Sequence, residues 1–251
     1  MKTRKRKMEK PDNVDYLVKD FHIQQQPTDE TCGPTCLQAL YKSFDDKIKL
    51  DRVIDEVQML PKGGTLAVFM GIHALKRGYK ARLYTYNMHV FDPTWFGNTS
   101  KHLIEKLKAQ MRYKTSQKLR IASKGYIQFL NLGGEIILED LTIPLIQKYM
   151  QKKVPILTGL NSTYLYRSKR EIDGKDDDIK GLSAGHFVVI FGYDKKQRKA
   201  YIADPYMPKE LDRKKYYLVN LNRLISSIML GVLSYDANML VIEKKEKKRH
   251  R

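Results

Sequence analysis

The stretch HFVVIFGYDKKQRKAYIADP, residues 186–205, contains two apolar runs that are separated by four polar residues. Both runs are rich in β-branched and aromatic residues, which favour strands, and the polar residues 195–198 are typical of a turn. The sequence therefore predicts a β-hairpin over residues 186–205, which is the clearest local signal in the chain.

His186 opens the first run of this hairpin and Asp204 closes the second, so both are expected at the rim of the sheet. If the turn centres on Lys195 and Lys196, antiparallel partners have residue numbers that add up to about 391, and this pair nearly does so. We therefore expect the two side chains to face each other, or nearly so, on one face of the sheet. A carboxylate placed in this way holds an imidazole in the tautomer that proton transfer needs.

A cysteine is expected at the start of a helix in the segment TDETCGPTCLQAL, residues 28–40. Pro34 suits the first helical turn, where its missing N–H loses nothing. The helix dipole and the backbone N–H groups at this end stabilise a thiolate, so Cys32 is a candidate nucleophile. Cys36 lies one turn further in, beside leucines, and is predicted to be an inert core residue.

Attack of a thiolate on a carbonyl also needs hydrogen-bond donors for the oxyanion. The backbone N–H of Cys32 is one candidate, and a side-chain amide just upstream is the usual second donor. Three glutamines, Gln24, Gln25 and Gln26, precede the cysteine. Gln26 lies six residues before Cys32, and the residues alone leave open whether it, Gln25 or Gln24 is the donor.

The remaining pattern predicts mainly helices in the first half of the chain and strands in the second. Helices are expected over residues 34–42, 50–59, 65–77, 141–152 and 221–230, with further helical segments across 100–130. The third helix should have Thr65 as its N-cap and end at Gly78. Strands are expected over residues 80–86, 154–160, 216–220 and 238–243, and a polar loop over 163–183. This order predicts an α+β fold in which N-terminal helices pack on an antiparallel sheet.

The 251 residues carry a formal net charge of +19, from 47 Lys and Arg against 28 Asp and Glu. Residues 1–10 hold six Lys or Arg and one Glu, and residues 243–251 hold six and two. We therefore expect a basic disordered tail over 1–15, one domain over 16–243 and a basic tail over 244–251. Eight further basic residues at 101–124 are expected on the exposed faces of amphipathic helices.

Composition excludes several classes of protein. Hydrophobic residues make up 42% of the chain, which is too many for a disordered protein, and two cysteines cannot form a disulfide scaffold. The N-terminus lacks the apolar core of a signal peptide, and the longest apolar stretch, 224–242, is interrupted by Asp236 and Asn238. A cytoplasmic protein without a membrane span is expected.

The chain resembles the bacteriocin-processing, double-glycine-type cysteine peptidases of the papain-like superfamily. The resemblance lies in Q-x5-CGPT (26–35), GHFVV (185–189) and ADP (203–205). Residues 166–178 and 230–242 are similar to a stand-alone cytoplasmic branch of that family.

By position, this resemblance implies that Cys32 is the nucleophile, His186 the general base and acid, Asp204 the orienting residue and Gln26 the oxyanion donor. It implies hydrolysis of a peptide or amide through an acyl-enzyme thioester, without a cofactor. Peptidase, amidase and transpeptidase activity are not separated.

The expected substrate is a peptide or protein, and the positive charge suits an acidic one. The cytoplasmic branch also implies a functional link to an ATP-grasp ligase. The best-known members of the family are exporter domains that cut leaders after Gly-Gly, whereas this chain contains no transmembrane segment and no ATP-binding loop. The chain is longer than a minimal domain of the family, and insertions near 87–133 and 161–183 are expected to form a lid or substrate wall.

Other interpretations remain. A zinc site would use Cys32, Cys36 and His186 or His73, but the Cys-x3-Cys spacing is looser than that of zinc fingers. In a nucleic-acid-binding protein, aromatic residues near the basic stretch would stack on bases, and the candidates are Tyr113, Tyr126 and Phe129. Any such binding through the basic tails is expected to be non-specific. A catalytically silent papain-like binding module is the third alternative.

Overall fold

The computed structural model describes residues 16–61, 63–206 and 215–245 of the chain. The expected N-terminal tail and most of the expected C-terminal tail lie outside these residues. The last strand continues to Lys244, one residue into the expected tail. Among the described residues, no helix combines the length and apolar character that a bilayer crossing requires.

The helices are close to those expected from the sequence. Their bounds are α1 Cys32–Ser43, α2 Leu50–Glu56, α3 Ala67–Lys76, α4 Ser100–Tyr113, α5 Gln117–Asn131, α6 Ile143–Gln151, α7 Ser162–Tyr166 and α8 Leu221–Leu230. Gly78 ends the α3 region at a φ of +87°, a conformation that glycine adopts without strain. The prediction of Thr65 as N-cap is wrong, because its hydroxyl donates to the carbonyl of Gln58, 2.7 Å away.

The strands likewise follow the sequence pattern, apart from short ones that it did not predict. Their bounds are β1 Tyr16–Leu17, β2 Tyr79–Thr85, β3 Glu135–Ile137, β4 Ile156–Asn161, β5 Glu171–Ile172, β6 Lys175–Asp176, β7 Gly185–Asp194, β8 Lys199–Ala203, β9 Tyr216–Asn220 and β10 Asn238–Lys244. The segment expected as a loop, 163–183, contains most of α7 and the β5–β6 hairpin.

The main sheet has the order β3-β2-β10-β4-β7-β8-β9, and β1 pairs with the far part of β7. Its pairs are antiparallel except β2 with β3, which is parallel. The antiparallel expectation therefore holds for the part of the sheet that carries the site and fails at one edge.

Helices cover both faces of this sheet, which confirms an α+β fold and adds a layer to the expected one. Side chains of α1, α3 and α5 pack with Phe187 and Val189 on one face. Side chains of α6 and α8 pack with Val188 and Ile190 on the other. Alternate residues of β7 thus enter opposite cores, as the pleat of a strand dictates.

The basic stretch 101–124 lies on α4 and α5, and all of its basic residues except the half-buried Lys118 are exposed. This confirms amphipathic helices with a solvated face. Two of the aromatic residues considered for base stacking, Tyr126 and Phe129, belong to the core, with exposed fractions of 2% and 0%. Only Tyr113 among the three is exposed.

Candidate active site

Cys32 is the first residue of α1, and its side chain is buried at the helix N-terminus. The preceding residue, Thr31, makes no side-chain cap, because its hydroxyl donates instead to the carbonyl of Thr28, 2.9 Å away. Gly33 allows close packing, since a Cβ there would lie 2.7 Å from the Cγ2 atom of Thr65. The sequence therefore places a thiol where backbone N–H groups and the helix dipole favour negative charge.

His186 and Asp204 form a buried pair, with 2.9 Å between Nε2 of the ring and Oδ1 of the carboxylate. The predicted register is wrong by two residues, because the β7–β8 ladder ends at Val189 opposite Ala203. The bulge between Ile190 and Gly192 reduces this offset, because the register next to the turn would place Asp204 opposite Val189, three residues from His186. The side chains nevertheless meet, since residues on diagonal positions of neighbouring strands share a face.

Cys32 is the other group that acts on the imidazole of His186, because its charge and a side-chain hydrogen bond both work to raise the pKa of the ring. Because Nε2 is engaged with Asp204, Nδ1 is the ring nitrogen left for Cys32. The ring thus connects the thiol of α1 to the carboxylate that follows β8. Nucleophile, base and orienting group in this order form the arrangement that activates a thiol for attack on a carbonyl.

The electrostatics of the three groups depend on one another. Burial alone lowers the pKa of His186, but the charges of Asp204 and Cys32 and their hydrogen bonds outweigh it and raise this pKa to about 10. Burial works to raise the pKa of Asp204, and the charge of His186 together with several hydrogen bonds lowers it below its ordinary value. The ring is therefore an imidazolium and Asp204 a carboxylate at neutral pH.

Asp204 has further partners that sequence reasoning missed. Its Oδ2 atom accepts hydrogen bonds from the hydroxyls of Tyr166 and Tyr217, each 2.6 Å away. Its Oδ1 atom accepts a second bond from the backbone N–H of Tyr206, at 2.9 Å. The two tyrosine hydroxyls come from α7 and β9, and no spacing in the sequence connects them to the aspartate.

Gln26 is the buried member of the three glutamines, whereas Gln24 and Gln25 are exposed. Its backbone N–H donates to the carbonyl of Pro205 at 3.0 Å, which ties it to the residue after Asp204. Its Nε2 donates to the carbonyl of Thr28 at 3.0 Å, and its buried Oε1 has no hydrogen-bond partner. The second N–H of this amide is the candidate oxyanion donor.

Cys36 lies in the core with no exposed surface, and its thiol donates to the carbonyl of Phe187 at 3.3 Å. Burial, followed by the charges of Cys32 and Asp204, raises the pKa of this thiol well above its usual range. Cys36 is thus the inert residue that the sequence indicates. The described part of the chain contains no group of three or more His, Cys, Asp or Glu side chains arranged to hold a metal ion.

A second buried carboxyl, that of Asp236, lies close to the site. Burial raises its pKa to about 7, against smaller opposing effects of Ser234, Lys118 and His186. A Cβ at Gly185 would collide with its Oδ2 atom, so the absence of a side chain beside His186 makes room for this group. The sequence marked Asp236 only as a break in an apolar run.

These elements, a thiol at a helix start and a histidine–aspartate pair at a sheet rim, are those of a cysteine peptidase. A sequence profile of the Peptidase_C39-like family matches residues 18–223. The chain belongs to this family. No curated protein sequence matches this chain.

Solved structures of bacterial peptidases are similar to the chain. A C39-like peptidase from Bacillus anthracis is 15% identical, with coverage of 94% of this chain and 100% of that one and a TM-score of 0.46. A double-glycine-motif protease of an AMS/PCAT transporter, crystallised with the leader peptide, is 13% identical, with coverages of 92% and 96% and a TM-score of 0.45. The peptidase domain of Streptococcus ComA, a bifunctional ABC transporter, is 15% identical, with coverages of 90% and 99% and a TM-score of 0.43.

Proposed function

We propose that this chain is a cysteine peptidase, or a related amide hydrolase, that acts through an acyl-enzyme thioester on Cys32. The observation that supports this most directly is the buried contact of His186 with Asp204 at 2.9 Å, together with the influence of Cys32 on the pKa of the same ring. The family, named for peptidases, supports the same reaction class.

In the first step, the thiolate of Cys32 attacks the carbonyl carbon of the scissile amide and the carbonyl oxygen takes up the negative charge. The backbone N–H of Cys32 and the side-chain amide of Gln26 donate hydrogen bonds to this oxyanion. The tetrahedral intermediate then collapses. His186 gives its Nδ1 proton to the leaving amine, and the acyl group remains on sulfur.

In the second step, the neutral ring of His186 takes a proton from water, and the resulting hydroxide attacks the thioester. The carboxylic acid product leaves, and the Cys32 thiolate and His186 imidazolium are restored. Throughout, Asp204 holds Nε2–H and stabilises the positive ring. An amine in place of water would yield a transpeptidation product from the same thioester.

A peptide or protein is the proposed substrate class. The transporter protease named above was crystallised in complex with a leader peptide, and for this chain a peptide substrate is a proposal. The net charge of +19 favours acidic peptides by long-range attraction. The cytoplasmic location and the link to an ATP-grasp ligase belong to this proposal and rest on cysteine usage and on the family resemblance.

The experiment that tests the proposal compares wild type and Cys32→Ala on a peptide library made from a bacterial proteome. New peptide termini are identified by mass spectrometry. We expect new termini with wild type and none with Cys32→Ala. Cys36→Ala is the matched control, since it removes a thiol from the same helix without touching His186, and it should retain cleavage.

Cleavage that persists in Cys32→Ala would refute the assignment of the nucleophile. Wild type that leaves every peptide intact, and whose Cys32 reacts with iodoacetamide no faster than Cys36 at pH 6, would favour a silent binding module.

A further inference from the structure

We propose that Tyr166 and Tyr217 are positioning residues of the site and that they hold Asp204 ionised and in one orientation. The two hydroxyls on Oδ2 are named the tyrosine clamp. The proposal rests on the proposed function and concerns how the site is set for it.

The geometry leaves the carboxylate one way to face the ring. An ionised carboxylate has about four hydrogen-bonding positions, and the clamp fills two of them at 2.6 Å each. The other two, on Oδ1, bind Nε2 of His186 and the backbone N–H of Tyr206, each at 2.9 Å. Rotation of the carboxylate to present Oδ2 to the ring would break both clamp bonds at once.

Burial explains why the clamp is needed. Only 2% of Asp204 is exposed, and a carboxylate withdrawn from water is favoured only when its oxygens are hydrogen-bonded or paired with a cation. Bonds from O–H to a charged oxygen at 2.5–2.7 Å are among the stronger hydrogen bonds in proteins. The clamp therefore helps to keep Asp204 charged, and the charged carboxylate in turn keeps His186 protonated.

The clamp also gives the 161–183 segment a role other than that of lid or wall. Tyr166 is the last residue of α7, and Asn161 caps this helix by accepting from the backbone N–H of Tyr164 at 2.9 Å. Asn161 is itself the strand partner of Gly185, the residue before His186. One end of the β4–β7 pair thus positions both the histidine and the first clamp hydroxyl.

The second hydroxyl reaches Asp204 from the neighbouring strand. Tyr217 lies on β9 opposite Ile202 of β8, two residues before Asp204. The clamp therefore joins a helix of the 161–183 segment to the edge of the main sheet through a single carboxylate.

The test measures the rate of Cys32 alkylation by iodoacetamide from pH 3 to 9 in wild type, Tyr166→Phe, Tyr217→Phe and the double variant. Loss of a donor raises the pKa of the buried carboxylate and so weakens its support of the His186 imidazolium, which in turn stabilises the Cys32 thiolate that is alkylated. The acid limb of the profile should therefore move up by about one pH unit in each single variant and further in the double. On any peptide that wild type cleaves, kcat should fall about tenfold with KM unchanged.

Tyr84→Phe is the control, because it removes a buried hydroxyl contact, 2.7 Å from Tyr149, on a strand that carries none of the candidate residues. It should leave the acid limb in place, whatever it does to thermal stability. An unmoved acid limb in the folded double variant would overturn the clamp. The alkylation profile needs no substrate, so it tests the clamp even if wild type cleaves no peptide. Absence of peptide cleavage by wild type would count against the proposed function alone.

Discussion

The Nε2 atom of His186 lies 2.9 Å from Oδ1 of Asp204, although the two residues are not partners in the ladder that joins their strands. Asp204 continues the extended chain beyond β8, with its backbone N–H on the carbonyl of Lys215 at 2.9 Å. The pair therefore depends on where two strands end as well as on how they pair.

The two thiols of α1 should differ sharply in reactivity. At pH 6, iodoacetamide should label Cys32 at least tenfold faster than Cys36, since Cys36 is fully buried with a raised pKa. Peptide mapping after brief labelling measures both sites in one sample. Equal, slow labelling of both would contradict a thiolate at Cys32.

The raised pKa of His186 predicts how stability depends on pH. With Cys32 as a thiolate, the folded pair binds one proton, and so does the unfolded state between about pH 6.5 and 8.5, where its histidine is neutral and its thiol protonated. Above about pH 8.5 the unfolded thiol ionises while the folded ring keeps its proton up to about pH 10, so the unfolding free energy should fall over this range. The contribution of one such group is about 1.4 kcal/mol per pH unit. Urea unfolding across this range measures it.

Asp204→Asn is the comparison for that measurement, because it removes the largest influence that raises the pKa of His186. The variant should lack the decline above pH 8.5. A decline of the same slope in Asp204→Asn would assign it to other groups.

Gln26→Ala should lower kcat by about 10²–10³-fold with little change in KM, because an oxyanion donor acts mainly in the transition state. Gln25→Ala, at an exposed neighbour, should behave as wild type. Steady-state kinetics on a peptide from the library distinguishes the two. Loss of kcat in Gln25→Ala alone would move the role to Gln25.

Relative to wild type, Asp236→Asn should be more stable, and this gain should be larger at pH 8 than at pH 4. The pKa of Asp236 is raised to about 7, so the folded wild type loses stability as the pH rises from about 3.9 to 7, and an amide carries no such charge. We expect a gain of roughly 1–3 kcal/mol at pH 8 by urea unfolding. A gain of equal size at both pH values would show that titration is not its cause.

Much of the fold follows from local patterns that the structure keeps. The hairpin of β7 and β8, the start of α1 and the burial of Cys36 all depend on alternation, turn residues and a cysteine among leucines, which are visible within about a dozen residues. The contact of His186 with Asp204 is also predictable from the sequence, because a short hairpin fixes which strand ends meet.

The features that escaped prediction are set by distant parts of the chain. The hydroxyls of Tyr166 and Tyr217 reach Asp204 across 38 and 13 residues, and no local pattern carries that information. The parallel β2–β3 pair and the carboxyl of Asp236 beside Gly185 likewise depend on tertiary packing. Thr65 has the residue type of a helix cap, but its hydroxyl donates to the carbonyl of Gln58 in the preceding loop.

The bulge in β7 changes which residues of β7 and β8 lie opposite each other, so the pairing differs between the two ends of the hairpin. Next to the turn, Gly192 lies opposite Tyr201, and this register, if continued, would set Asp204 across from Val189. Its side chain would then belong to the opposite face from His186, because a shift of one residue exchanges the faces of a strand. The additional residue Phe191 restores the phase, so one extra position in β7, five residues from His186, decides whether His186 and Asp204 share a face of the sheet.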